Sequence, residues 1–200
     1  MIPRHLQIGM AVLLVVVLIM AFYVHRMRGR VAETGARVAD TRPVAPPVAG
    51  PTEQVTLYVA YDDAGVLHAQ SARVPLPAGR QQRAQELLRA LLGIYLDKNS
   101  PHPLPAGAEV RDVYMVDPGL AVIDTNSAFA DNHRSGVLVE ELTIASFVRT
   151  LAANIPGINR VKILVDGKER DTLAGHADLS DFYDTSAVGK AADQLETAAQ

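Results

Sequence analysis

The chain has no cysteine. That excludes disulfides, thiolate nucleophiles and cysteine-ligated zinc. It also excludes a lipoprotein anchor, which is built on a Cys. Redox compartment stays open, because a cysteine-free chain suits either side of a membrane. Tryptophan is absent as well, and aromatics make up 5% of residues against 48% hydrophobic overall. The core must therefore be aliphatic, and platforms for stacking sugars are few. No strong charge of one sign is present: the formal net charge is −3. Residues 54–184 carry 12 Lys/Arg against 17 Asp/Glu. Such a balance argues against nucleic acid, whose phosphates need a concentrated basic footprint, and anionic lipid headgroups would repel it weakly. Four catalytic signatures are also missing: the G-x-S-x-G elbow, H-E-x-x-H, the P-loop and G-x-G-x-x-G. The sequence predicts no catalytic residue, no cofactor and no metal, hence a protein that is not an enzyme.

What the chain does have is one long apolar run. Leu6 to Val24 contains no charged residue, and 12 of its 19 residues are Leu, Ile, Val or Phe. As a helix it would extend about 28 Å, close to the hydrocarbon thickness of a bilayer. A cleaved signal peptide is the alternative, but the run is longer than a signal core and no A-x-A site closes it. Arg26, Arg28 and Arg30 follow the run and Arg4 precedes it, so a count of flanking charge puts the remainder of the chain in the cytoplasm. Residues 26–53 then read as a tether. Pro43, Pro46, Pro47 and Pro51 favour extended polyproline II over packed structure. Fully extended, the tether would reach at most about 85 Å.

From Gln54 onward the periodicities change. "VTLYVAY" alternates as a strand, "DDAG" (Asp62–Gly65) is turn chemistry, and "VLHAQSARVPL" is the returning strand. Residues 80–95 place Ala84, Leu87, Leu88, Leu91, Leu92 and Tyr95 on one helical stripe. "EVRDVYMVD" and "LAVIDTN" are two short strands around a Pro118–Gly119 turn. Residues 136–154 form a second, more apolar helix that Pro156–Gly157 stops. "INRVKILVDG" is the last strand. Residues 168–184 read as irregular and 185–200 as a frayed or weakly helical tail. The predicted class is α+β: a compact two-layer domain in the order ββαββαβ, with two helices on a mixed or antiparallel sheet, preceded by one transmembrane helix.

Candidate chemistry is sparse. "GHADLSDFYD" gathers His176, Asp178, Asp181 and Asp184, which could bind a divalent cation or be a solvated loop whose carboxylates satisfy turn amides. The "DDAG" turn could hold Ca²⁺ weakly or simply close a hairpin. Asp124, after an apolar strand, could be a general base, but more often such a residue caps a turn. Asn126 and Ser127 would do similar work, and His133 sits in a polar loop where solvation is the expected state.

In order and spacing these pieces resemble the GerMN domain family (sporulation and spore germination) over residues 54–180. "VTLYVAYDDAG", "SARVPLP…AQELLRALL", "PLPAGAEVRDVYMVDPGLAVIDTNSAF", "ELTIASFVRTL…PGINRVKILVDG" and "LAGHADLS" are similar to successive parts of that family's pattern. Asn126 stands where the family commonly has Ser, and a helix takes the place of the lipid anchor many members carry. The resemblance implies an extracytoplasmic domain without an established activity, as in relatives that help assemble an envelope-spanning complex. It outweighs the arginine count, because long domains cross membranes with little regard to flanking charge.

The expected organisation is an anchor at 1–25, a Pro-rich linker at 26–53, a GerMN-like domain at 54–184 and a flexible tail at 185–200. The expected function is a single-pass, non-catalytic interaction or assembly module of the bacterial envelope, N-terminus in the cytoplasm. Envelope proteins would be its partners, with peptidoglycan contact an option and oligomeric state open. The alternative is a module binding cell-wall glycan or a small ligand, and behind it a hydrolase using Asp124 or the His176–Asp184 cluster.

Overall fold

A computed structural model describes residues 51–116 and 118–198. The anchor expected at 1–25, and the linker up to residue 50, lie outside the described residues. Among the described residues no helix is long and apolar enough to cross a membrane.

The domain opens on a hairpin of β1 (Thr52–Tyr61) and β2 (Val66–Pro75), paired antiparallel without a register shift. Strand β1 thus starts two residues before the expected boundary, and Glu53 is held there by an ion pair with Arg83 at 2.7 Å. Helix α1 (Arg80–Tyr95) follows, with Ala84, Leu87, Leu88, Leu91 and Tyr95 buried as the stripe predicts. Next come β3 (Val110–Val116), β4 (Leu120–Thr125), the one-turn helix α2 (Ser127–Asp131), helix α3 (Val137–Asn154) and β5 (Arg160–Val165). A two-residue strand β6 (Tyr183–Asp184) and helix α4 (Thr185–Ala198) complete the domain.

The expected single sheet is two sheets: β1-β2, and β3-β4-β5-β6 with β4 and β5 parallel. Helix α3 supplies the physical reason. It lies along the outer edge of β1 and satisfies that edge with side chains. Asn154 Oδ1 accepts from the Thr56 amide at 3.1 Å, Thr150 Oγ1 accepts from the Tyr58 amide at 3.0 Å, and the hydroxyl of Tyr95 on α1 accepts from the Ala60 amide at 2.9 Å. A strand edge whose donors are taken cannot pair with a further strand. The aliphatic core fills the space between hairpin, helices and second sheet, from Leu57 and Val59 through Leu88, Ile123 and Leu151 to Ile163.

Four helices appear where two were expected. Asn126 creates α2 by accepting from the Phe129 amide, the ordinary chemistry of an N-cap. The segment expected to be a flexible tail is the 14-residue α4. Asp184 caps it, accepting from the amides of Ser186 and Ala187. Ala192 is buried, and Arg149 of α3 pairs with Asp193 at 2.5 Å. One glycine is obligatory: Gly119 has φ +78°, and a Cβ there would lie 2.6 Å from the Gly157 carbonyl. That close approach packs the β3–β4 turn against the α3–β5 turn, where the Gly119 carbonyl accepts from the amides of Asn159 and Arg160.

Candidate functional site

The chain's polar chemistry converges on the N-terminal end of α3. Three loops meet there: the β1–β2 turn, the proline-rich segment after α1, and the segment between α2 and α3. They bring Asp62, His102 and His133 around Thr143. His102 and Thr143 are fully buried and His133 nearly so. His102 Nδ1 lies 2.5 Å from Asp62 Oδ1, and its Nε2 lies 2.6 Å from Thr143 Oγ1. His133 Nε2 approaches the same hydroxyl at 2.8 Å, and its Nδ1 lies 2.7 Å from the Arg134 carbonyl. The Arg134 guanidinium donates to the second Asp62 oxygen at 2.8 Å.

Carboxylate, imidazole and hydroxyl thus stand in the order that activates a nucleophile. Two features oppose that use. The Thr143 hydroxyl has no exposed surface by which a substrate could reach it, and a second imidazole already occupies it. The contacts run among three pure acceptors: the Asp62 carboxylate, the Arg134 carbonyl and the Val139 carbonyl, to which the Thr143 hydroxyl donates at 3.0 Å. With both imidazoles neutral, His102, Thr143 and His133 bring three hydrogens to five contacts. Two contacts are a hydrogen short, and each imidazole that takes up a proton supplies one of them. Burial opposes that uptake and is the larger effect, holding both imidazoles below their ordinary value.

Beside this chain of contacts lies Glu140, fully buried in the first turn of α3. Its Oε1 accepts from the Gly136 amide at 3.1 Å and faces His176 Nδ1 at 2.8 Å. Its Oε2 accepts from the amides of Ala174, His176 and Ala177, each at 2.9 Å. Burial pushes the carboxyl up, but the Gly136 amide, the His176 ring and the other amides outweigh it and pull it down to about 2. Glu140 is a clamp that pins the segment around 174–177 to the helix.

The residues singled out from sequence are put to similar tasks. The cluster of His176, Asp178, Asp181 and Asp184 does not converge: among the described residues no three His, Asp or Glu side chains are placed to hold a metal. His176 faces Glu140, Asp178 accepts from the Ser180 amide and hydroxyl, Asp181 from the Phe182 amide, and Asp184 caps α4. Asp124 is 2% exposed and accepts from the Gly167 amide at 2.7 Å, in the turn after β5 rather than in its own. His133, expected in solvent, is buried because Thr143 lies within two α3 turns of the loop that carries it and its hydroxyl meets the ring. Asp62, expected to close a hairpin or to hold Ca²⁺ weakly, anchors the polar chain. His102 carried no sequence signal beyond its place between Pro101 and Pro103.

One groove stands out near these groups. About 400 Å³ in volume, it lies between α3, the segment 176–183 and α4. Ile144, Ala145, Val188 and Leu195 give it an apolar floor, and Glu141, His176, Asp178 and Tyr183 stand around it. Burial, with Asp178, Glu141 and Glu140 nearby, pushes the Tyr183 phenol up to about 12, so it stays a neutral donor to the Asp178 carbonyl.

Known proteins resemble this chain. The family described as Germane, sporulation and spore germination, matches residues 56–171. Among solved structures, the tandem GerMN domains of the sporulation protein GerM from Bacillus subtilis superpose with a TM-score of 0.52 at 23% identity, over 68% of this chain and 48% of that one. The first GerMN domain of the same protein gives 0.48 at 24% identity, over 66% of this chain and 98% of that one. A structure described as "Putative Lipoprotein from Clostridium perfringens" gives 0.46 at 20% identity, over 74% and 97%. No curated protein matches the chain.

Proposed function

The chain belongs to the Germane family of sporulation and spore germination domains, and from that premise we propose that it is a membrane-anchored, non-catalytic interaction or assembly module facing the outside of the bacterial cell membrane. The observation that carries the reading is the sealed polar cluster. Thr143, aligned with an imidazole and a carboxylate, has no exposed surface; the exposed Ser135 hydroxyl meets His176 only at Nδ1, the nitrogen that already faces Glu140; and Glu140, Asp124 and Asp184 each hold backbone amides. Groups committed to shaping loops leave surface, not chemistry, as the domain's offering. The apolar run Leu6–Val24 supplies the anchor, residues 1–25, and the prolines of 26–53 a stiff spacer.

A reporter active only outside the cytoplasm, fused after Gln200 of the full chain, tests the orientation. Cross-linking in intact cells tests the role and should capture envelope proteins. A reporter active only in the cytoplasm, or a chain recovered wholly from the soluble fraction with its first thirty residues intact, overturns the reading. The groove beside α4 favours a second reading, a module for a small ligand or a cell-wall glycan fragment. Saturable binding of peptidoglycan fragments that is lost in Ala145→Trp, which fills the groove, would favour it over the first.

A further inference from the structure

The two edges of the β1–β2 hairpin are treated in opposite ways. On β1 the amides of Thr56, Tyr58 and Ala60 point outward and are taken by Asn154, Thr150 and Tyr95. The ladder with β2 therefore runs through Val55↔Ala72, Leu57↔Gln70 and Val59↔His68. By the same alternation Ala69, Ser71 and Arg73 turn their N–H and C=O groups away from β1. Among the described residues no strand pairs with them on that side and no backbone hydrogen bond reaches their outward groups. All three are exposed. Two of the usual protections are missing: its pairing with β1 has no bulge, and proline appears only at its last position, Pro75; Arg73 is its one permanently charged side chain, and α3 and α4 approach β2.

We propose that this edge pairs antiparallel with the same edge of a second copy of the chain, joining two hairpins into one four-stranded sheet. The proposal deepens the interaction-module reading and rests on it. Three observations select a second copy. First, the edge is self-complementary. A two-fold axis through Ser71 sets Ala69 opposite Arg73 and Gln70 opposite Ala72, so no charge of β2 faces its own like. Second, the strand's ionisable residues are His68 and Arg73 alone, so the acidic balance of the domain is not concentrated there. Third, the stretch leading into β1 carries Pro43, Pro46, Pro47 and Pro51, which suits it poorly to donate a ladder of its own. Two chains anchored in one membrane would also meet at raised effective concentration.

The absence of cysteine makes the test clean. In the full-length chain in membranes, Ser71→Cys should form a disulfide-linked dimer on oxidation. A hydrogen-bonded antiparallel pair sets the two Cα atoms about 5.5 Å apart, within disulfide reach. Ala64→Cys, in the exposed turn, should stay monomeric. The wild-type chain should sediment as a concentration-dependent dimer, and Ser71→Lys, which sets two ammonium groups face to face, should weaken association by roughly tenfold or more. Unchanged thermal unfolding of Ser71→Lys confirms that the fold is intact; if that variant unfolds, Ser71→Pro removes the outward N–H with the β1 ladder left in place. A wild-type chain that stays monomeric, or equal cross-linking of the two cysteine variants, overturns the proposal. Cross-linking of Ser71→Cys to a different protein overturns the second copy as occupant and leaves the envelope-module reading standing. A cytoplasmic topology signal sinks that reading by itself, whatever the Ser71→Cys result.

Discussion

At its N-terminal end α3 is gripped through groups that titrate: Glu140 under the 174–177 segment, and Thr143 between His102 and His133. At its C-terminal end, two to three turns on, Thr150 and Asn154 bond the backbone of β1 with neutral groups. The helix needs both ends because it completes two different structures. The first end gathers loops that have no regular ladder of their own, and a charge can draw several amides at once. The second end replaces a missing strand, and its amide and hydroxyl mimic a strand's alternating donors and acceptors.

The largest expected effect is at the charged end. Glu140→Ala strands three amides of the 174–177 segment, the Gly136 amide and the His176 ring, and should cost about 3–5 kcal/mol in chemical denaturation. Glu140→Gln keeps one acceptor oxygen and should recover roughly half of that loss. If Glu140→Ala unfolds with wild-type midpoint and slope, the clamp contributes nothing and the contrast between the ends fails. At the neutral end Asn154→Ala removes the bonds to both Thr56 backbone groups and should cost about 2 kcal/mol. Hydrogen exchange gives a sharper reading: the Thr56 amide should lose protection while the Ala177 amide keeps it. Thr150→Val is nearly isosteric, leaves only the Tyr58 amide without its acceptor, and should cost about 1 kcal/mol.

Legibility in the sequence divides along the same line. The neutral end lies on elements with strong periodicity, and β1, β2, α1, α3 and β5 follow from alternation and the 3.6-residue stripe. The family pattern is carried partly by those stretches and partly by β3, β4 and the segment 173–180. The charged end is built from loops, where periodicity is silent. His102 and Asp62 are 40 positions apart, and nothing local marks either as a partner. His133 sits among Asn132, Arg134 and Ser135, so composition pointed to solvent, yet the buried hydroxyl of Thr143 drew it inward. Helix α4 escaped for another reason. Its inward face is Val188, Ala191, Ala192 and Leu195, mostly small residues whose pattern is weak until Arg149 and Asp184 fix the ends. The separation into two sheets was unreadable because it depends on side chains of α3 doing the work of a strand.

The smallest expected signal is the dependence on pH, and its sign separates the ends most sharply. Burial lowers the His102 and His133 pKa values from 6.5 on folding, so the unfolded chain binds protons more readily. Stability from this source is complete above pH 6.5 and is lost as pH falls below it. Glu140, pulled from 4.5 to about 2, adds its own loss only as pH falls below 4.5. Between pH 7.5 and 5.5 Glu140 therefore stays charged, and the decline expected from His102 and His133 is seen apart from it. The unfolding free energy should decline across that interval in the wild type and in Thr150→Val by the same amount, because the neutral end does not titrate. In His102→Gln the decline should shrink. A wild-type chain that instead gains stability on acidification would mean that supplying a hydrogen missing among the five contacts outweighs the cost of a buried charge. The cluster would then hold an imidazolium between Asp62 and Thr143, and the charged end would tighten in acid rather than loosen.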